Sequence, residues 1–293
     1  MKTITLNIDN EILISDLFEF LSDKPDHGFR DFHKYKKFFL EEITKIISDN
    51  RYKILISHID KKIENYFLIK NEDSLNRSII MTLDVRKISE IIHDIKKITK
   101  SNKIEIAIRD SNDINPNEFS FLKLIKIYNF MKINSSEKIA YTKNNNFKVC
   151  SVDENKNIEG LVNIQNDCFS DHYGYEINSI KDFREELNSL KDTNIKSFFN
   201  ISKSKSGSWV GYTWTQKNLS NSQSKLSMCG VKKEFRNKGL AKELIIVAIN
   251  ELIKSNCDEI MLEVDQENIP AKKIYEEIGF YTYDKLGWYE LLD

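Results

Sequence analysis

The stretch Leu226-Ser227-Met228-Cys229-Gly230-Val231, followed by Lys232-Lys233-Glu234-Phe235 and Arg236-Asn237-Lys238-Gly239-Leu240-Ala241, decides how this chain is read. Its first six residues have the short, mostly apolar character of a strand. After the basic turn the pattern is helical to about Ser255. Leu240, Leu244, Ala248 and Leu252 recur every four residues, with Ala241, Ile245 and Ile249 beside them, so the apolar face is broad. Residues 259–264 read as a strand covered on both faces. Asn268 then stands as a helix N-cap, Pro270 falls in the first turn, and Gly279 closes a short helix carrying Ile274, Tyr275 and Ile278.

The unit is therefore strand, basic glycine loop, helix, strand, helix. A loop that opens a helix presents unpaired backbone N–H groups at the positive end of the helix dipole. Gly239 lets the backbone approach a ligand closely and Ala241 keeps the next turn narrow. These features suit a pyrophosphate cradle formed by residues 236–242, with Arg236, Lys238 and Lys242 adding charge. The hexapeptide alone suits an ordinary basic helix start equally well.

The whole stretch resembles the acetyl-CoA-binding core of the GNAT superfamily of N-acetyltransferases. Val231 ends the strand at the family's position. Arg236, Gly239 and Ala241 fit its Arg/Gln-x-x-Gly-x-Gly/Ala loop, with Ala241 as the variant final residue. Asn268, Ala271 and Tyr275 fit its Asn-x-x-Ala-x-x-x-Tyr helix, and Gly279-Phe280 its closing Gly-Phe. The resemblance implies an α/β fold, a central mixed β-sheet flanked by helices. It implies acetyl-CoA as co-substrate, bound by Cys229, Gly230, Val231, Arg236, Asn237, Lys238, Gly239, Leu240, Ala241, Lys242 and Asn268. The backbone of 229–231 would take the pantetheine arm and help polarise the thioester carbonyl. Tyr275 would be the acid for the leaving thiolate. Glu263, five residues before Asn268, would be the base, directly or through a water, since an ammonium must lose a proton before it attacks. A solvated strand-end carboxylate is the alternative for Glu263. Family members place acceptor residues between their first two helices, which here points to Asp171, His172 and Tyr173 in the run Phe169-Ser170-Asp171-His172-Tyr173-Gly174-Tyr175; a packed aromatic turn is the alternative.

At 293 residues the chain is about twice what one such domain needs. Its first half reads as strand (3–8), helices (12–21, 32–47), strands (52–58, 66–69, 78–85), helix (88–98), strand (104–108), helix (119–130), then a hairpin near Ile133 and residues 139–141. Residues 147–152, 158–168, 179–190, 197–202 and 208–216 repeat the opening of that order, and a last hairpin is expected around Lys285-Leu286-Gly287. Two tandem copies of the fold are therefore expected, 1–143 and 147–293, joined through Asn144-Asn145-Asn146. Between 85 and 100 the first half is eight residues shorter than the second between 231 and 254, and it has no glycine there. It reads as a degenerate copy without a cofactor loop, the tandem, mycothiol synthase-like arrangement of the family, with 147–293 catalytic.

A net charge of −1 argues against general nucleic-acid binding. Cys150, Cys168, Cys229 and Cys257 show no C-x-x-C pairing, and the start lacks a signal-like apolar region, so reduced thiols and a cytoplasmic location are expected. No run is long enough to span a membrane. His27, His33, His58, His93 and His172 have no ligand spacing, and no metal is expected. The expected activity is direct acetyl transfer to an amine of a small molecule, by a monomer or homodimer. The alternatives are a peptide or protein acceptor, or a non-catalytic acyl-CoA sensor.

Overall fold

The computed structural model describes residues 2–292 except 23, 25–31, 33–34, 61, 100, 102, 110–114, 116–117, 171, 173–174, 193 and 220–222. The chain divides into two compact units, residues 1–128 with 284–293, and residues 129–283. Its elements are β1 (Lys2–Thr5), α1 (Glu11–Ser22), α2 (Lys36–Ser48), β2 (Tyr52–Ile59), β3 (Lys62–Glu72), β4 (Arg77–Thr82), α3 (Ile88–Ile98), β5 (Lys103–Arg109) and β6 (Leu122–Asn134). There follow β7 (Lys148–Val152), α4 (Glu154–Phe169), α5 (Ile180–Asp192), β8 (Ile195–Lys203), β9 (Trp209–Asn218), β10 (Gln223–Val231), α6 (Leu240–Lys254), β11 (Glu259–Asp265), α7 (Ile269–Ile278) and β12 (Tyr281–Leu291).

In the first unit the strand order is β1-β2-β3-β4-β5-β12. Neighbours are antiparallel except β4 and β5, which run parallel with α3 as their crossover. Helices α1 and α2 cover one face: Leu17, Phe39 and Ile43 pack with Ile54, Ile56, Tyr66 and Leu68. On the other face the isoleucine stripe of α3 meets Phe67, Ile69, Ile80, Ile104 and Ile106. The second unit has the order β6-β11-β10-β9-β8-β7, entered at residue 129 of β6. Here β10 and β11 are the parallel pair and α6 is the crossover. Helices α4 and α5 pack on Phe199, Ile201, Tyr212 and Trp214. Helices α6 and α7 cover the opposite face with Leu226, Ile260, Leu262 and Val264. Both units thus run βααβββαβ, the repeated mixed α/β fold.

Three expectations fail locally. Residues 119–130 are not helical; 122–134 form β6. Asn129, Phe130 and Met131 are all buried, so both faces of the strand are covered and the period-two signal is lost. Residues 139–141 form no strand, and the first half has no closing hairpin. Nor does the chain turn at Lys285-Leu286-Gly287. β12 runs unbroken, with Leu286 opposite Arg109 and Gly287 opposite Ile108. Gly287 makes room for the ring of Tyr289, which a Cβ would meet at 2.4 Å. Residues 144–146 lie within the second unit, and the last strand of the chain belongs to the first.

Gly230 fixes how closely α4 approaches β10. A Cβ there would lie 2.6 Å from Cys168 Cβ and 2.8 Å from the Phe169 ring. Gly230→Ala should therefore destabilise the protein by about 1–3 kcal/mol, read by denaturant unfolding; an unchanged midpoint would show that this contact yields freely.

Candidate active site

The site begins where two strands part. β10 and β11 pair in parallel at Gln223–Glu259, Ser224–Ile260 and Lys225–Met261, and among the described residues the ladder goes no further. β10 nevertheless continues to Val231, held on its other side by β9 through Val231–Gly211. β11 continues to Asp265. From Leu226 onward the edge of β10 that faces β11 therefore has backbone donors and acceptors without a strand partner. A register shift between Leu226 and Met228 inserts one residue. Leu226 consequently packs on the α6 side while Met228 packs with α4 and α5. An extended ligand bearing amide groups can add to such an edge as a strand does.

β10 feeds the basic loop. A single 3-10 turn, Lys233–Phe235, follows Val231, and Arg236 donates from Nε to the Val231 carbonyl at 3.0 Å. Asn237 and Gly239 both have left-handed backbones, with φ of 60° and 76°. Gly239 is the N-cap of α6 and has no side chain to satisfy the first turn. The first helical bond runs from Glu243 N–H to the Gly239 carbonyl. The N–H groups of Leu240, Ala241 and Lys242 thus have no intrahelical acceptor. A Cβ at 239 would meet nothing within 4 Å, so the space before the helix is open. Backbone dipoles supply most of the attraction for an anion here. The basic side chains are turned elsewhere: Lys238 donates to the Glu234 carbonyl at 3.0 Å and lies over Phe235, and Lys242 pairs with Glu277 at 2.7 Å.

Helix α7 brings the acid candidate. Asn268 accepts from Ala271 N–H at 3.2 Å and so caps the helix. Tyr275 is buried in the core beneath β11, edge-on to Phe280 at 5.8 Å. Burial pushes its pKa well up, and the nearby Cys229 thiol adds to the shift. The hydroxyl keeps its proton across the neutral range. Burial likewise pushes the Cys229 thiol up to about 12, with Cys168 adding, which disfavours a thiolate nucleophile. Glu263 lies on the opposite face of β11 from Leu262 and Val264, which pack in the core that holds Tyr275. It is exposed and paired with Lys225 at 2.7 Å. Tyr275 and Glu263 therefore flank the gap from opposite sides of the sheet.

The Glu263 side also carries the connection between α4 and α5. Asn166 pins it, accepting from the Tyr175 hydroxyl at 2.7 Å and donating to the Asn178 carbonyl at 2.9 Å. The His172 ring lies 4.7 Å from that of Phe169, which in turn meets Tyr212 edge-on at 6.1 Å and borders Gly230. Asp171 and Tyr173 lie outside the described residues. Tyr212, buried in the sheet core, donates to Met228 Sδ at 3.0 Å and underlies this connection through Phe169. Sequence reasoning missed one group here, Glu186. Glu186 on α5 has no hydrogen-bond or ion-pair partner among the described residues. It is exposed overall, yet burial around its carboxyl raises its pKa, and its charge reaches the Tyr175 and Tyr212 hydroxyls. A carboxylate on the buried flank of α5, three residues after Phe183, was the available signal.

Residues 158–280 match the model of the acetyltransferase (GNAT) family. The match lies wholly within the second unit, residues 129–283. Over 66 residues, 22% of this chain, it is 38% identical to N-alpha-acetyltransferase 30 of Saccharomyces cerevisiae, covering 38% of that protein. Over 75 residues, 26% of this chain, it is 31% identical to mycothiol acetyltransferase of Streptomyces scabiei, covering 24% of that protein. The chain thus matches well under half the length of these curated relatives. A tandem GNAT protein from the clavulanic acid biosynthesis pathway superposes with a TM-score of 0.70 at 10% identity, covering 99% of this chain and 97% of that one. At that identity the likeness speaks for the fold. Among the described residues no cluster of three His, Cys, Asp or Glu could hold a metal, and no helix is long and apolar enough to cross a membrane.

Gly239→Asp places a β-carbon on a left-handed backbone and a carboxylate in the open space before α6. Acetyl-CoA affinity should fall by at least about a hundredfold, two losses of roughly 1.4 kcal/mol each. Retained affinity in calorimetry would remove the loop from the cofactor site.

Proposed function

We propose that the second unit moves the acetyl group of acetyl-CoA directly to the amine of a small molecule, and that the first unit is a degenerate copy that binds no cofactor. The reading rests chiefly on the parting of β10 and β11 directly before the Gly239 loop, with Tyr275 and Glu263 on its two sides. The free edge at 229–231 would hold the pantetheine arm in extended form and donate a backbone N–H to the thioester carbonyl. The N–H groups at 239–242 would hold the pyrophosphate. Asn268 would touch the cofactor while capping α7. The Tyr275 hydroxyl, kept protonated by burial, would give its proton to the departing sulfur. Glu263 would take the proton of the acceptor ammonium, directly or through a water, once Lys225 yields its place. His172 and the rest of the α4–α5 connection would form the acceptor wall.

The first unit supports the degenerate-copy reading by what stands at the matching turn. After β4 the chain reaches α3 through Asp84, whose carboxylate accepts from Arg86 N–H at 3.0 Å and from the Arg86 guanidinium. A carboxylate thus occupies the anion's place before the helix, and that charge opposes a pyrophosphate.

The mycothiol acetyltransferase match favours a small-molecule acceptor. The N-alpha-acetyltransferase match favours a peptide acceptor as the second reading. Parallel assays with a set of small amines and a set of free-N-terminus peptides separate them; turnover confined to peptides would overturn the first.

Calorimetry with acetyl-CoA should give one site per chain; two sites would overturn the degenerate-copy assignment. Tyr275→Phe should lower kcat by about a hundredfold with acetyl-CoA affinity nearly unchanged, and a wild-type kcat would remove its acid role.

A further inference from the structure

The segment between β6 and β7 is tied to α6 and to the loop that opens it. Near the C-terminal end of the helix Ile139 exchanges two hydrogen bonds with the Asn250 side-chain amide, at 2.8 and 2.9 Å. At the N-terminal end the segment reaches the basic loop itself. Asn144 donates from Nδ2 to the Lys238 carbonyl at 2.9 Å and from its backbone N–H to Glu243 Oε2 at 3.2 Å. Its Oδ1 accepts from Asn146 N–H at 3.0 Å, which fixes the amide with its donor side toward Lys238. Three residues on, the Phe147 ring meets Phe235 edge-on at 6.1 Å. The segment therefore holds the loop at Phe235 and again at Lys238.

Asn237 and Gly239, on either side of Lys238, both have left-handed backbones. Glycine takes several other conformations as readily, so the Lys238–Gly239 peptide needs an outside contact to keep one orientation. A trans peptide is planar, with its C=O and N–H pointing in opposite directions. Holding the Lys238 carbonyl toward Asn144 therefore turns the Gly239 N–H to the side away from the segment. That N–H has no acceptor among the described residues. It adjoins the free N–H groups of Leu240, Ala241 and Lys242 at the positive end of α6. The Glu243 carboxylate, in the first turn of the same helix, is meanwhile held on the segment's side by the Asn144 N–H.

We propose that Asn144 is a positioning residue for the anion cradle: by fixing the Lys238–Gly239 peptide it aims the Gly239 N–H at the donor's pyrophosphate. The inference rests on the acetyl-CoA reading above. It assigns part of the donor affinity to a side chain 94 residues before Lys238, which acts through the loop backbone and touches no ligand.

The sequence has one Lys-Gly pair, Lys238-Gly239, so a chain labelled with carbonyl-13C lysine and 15N glycine gives one doubly coupled amide signal, that of Gly239. The full chain is titrated with acetyl-CoA by calorimetry and by this signal. In the wild type the signal should move downfield as the N–H meets a phosphate oxygen. Asn144→Ala and Asn144→Asp should weaken acetyl-CoA by roughly tenfold, the contribution of about one hydrogen bond, and should lose most of the downfield movement. Asn144→Asp keeps the acceptor for Asn146 N–H and lacks the donor. Asn250→Ala removes the far tie of the same segment and should bind as the wild type does. Wild-type affinity in both Asn144 variants overturns the positioning role alone. So does an equal loss in Asn250→Ala, which would mark a general loosening of the segment. Wild-type binding that leaves the Gly239 signal in place, or an unchanged movement in the Asn144 variants, overturns the aimed N–H. No binding of acetyl-CoA by the wild type overturns the acetyl-CoA reading and this inference with it.

Discussion

The second unit depends on a ladder that stops early. Once Lys225 has paired with Met261, β10 and β11 carry on as strands without each other. Leaving backbone N–H and C=O groups unpaired in a protein interior costs free energy comparable to a lost hydrogen bond for each. The surrounding structure holds the gap from several directions. β9 keeps β10 straight to its end, the inserted residue near Ser227 re-aims the following side chains, and Gly230 admits α4 close to the strand. Tyr275 and Phe280 fill the core below. Such an edge is complementary to a chain with its own amide groups, and a pantetheine arm is one.

The first unit shows the same architecture with different side chains around its parallel pair. Its parallel pair is also short, Arg77 to Ile80 against Lys103 to Ile106. Around that pair, Glu105 is fully buried between Arg77 and Lys103, and Glu72 bridges Arg77 and Lys70. Further along, Asn65 donates to Thr82 Oγ1 and to the Asp84 carbonyl, and Asp84 caps the turn before α3. These bonds tie the end of β4 to the turn before α3. In the second unit the corresponding turn carries glycine and no capping side chain.

Much of this was legible from residues 226–280, because glycine conformation, helix capping and apolar periodicity act locally there. Gly239 takes the left-handed conformation expected of a loop glycine, and Asn268 caps α7 as its neighbours suggested. Legibility ended where long-range packing decides. Residues 122–134 carry isoleucine and aromatic residues at spacings that fit a helix or a doubly covered strand, and only neighbouring strands resolve them. The Asp284-Lys285-Leu286-Gly287 run looks like a turn because glycine and charge usually mark one; here the glycine shelters an aromatic ring. The connection between α4 and α5 was legible only as an aromatic loop. Helical spacing puts Glu186 near Phe183 on α5, but only the tertiary packing sets that flank against Tyr175 and Tyr212.

The placement of residues 284–293 has a consequence for synthesis. They complete the sheet of the first unit by pairing β12 with β5. Domains generally fold as they emerge, the N-terminal one first. Here β5 waits with an open edge while the whole second unit is translated. That interval exposes a strand edge with Ile104, Ile106 and Ile108, the kind of template on which nascent chains pair wrongly. The order of translation and the order of folding therefore differ in this chain, and its first-made unit is among the last to close.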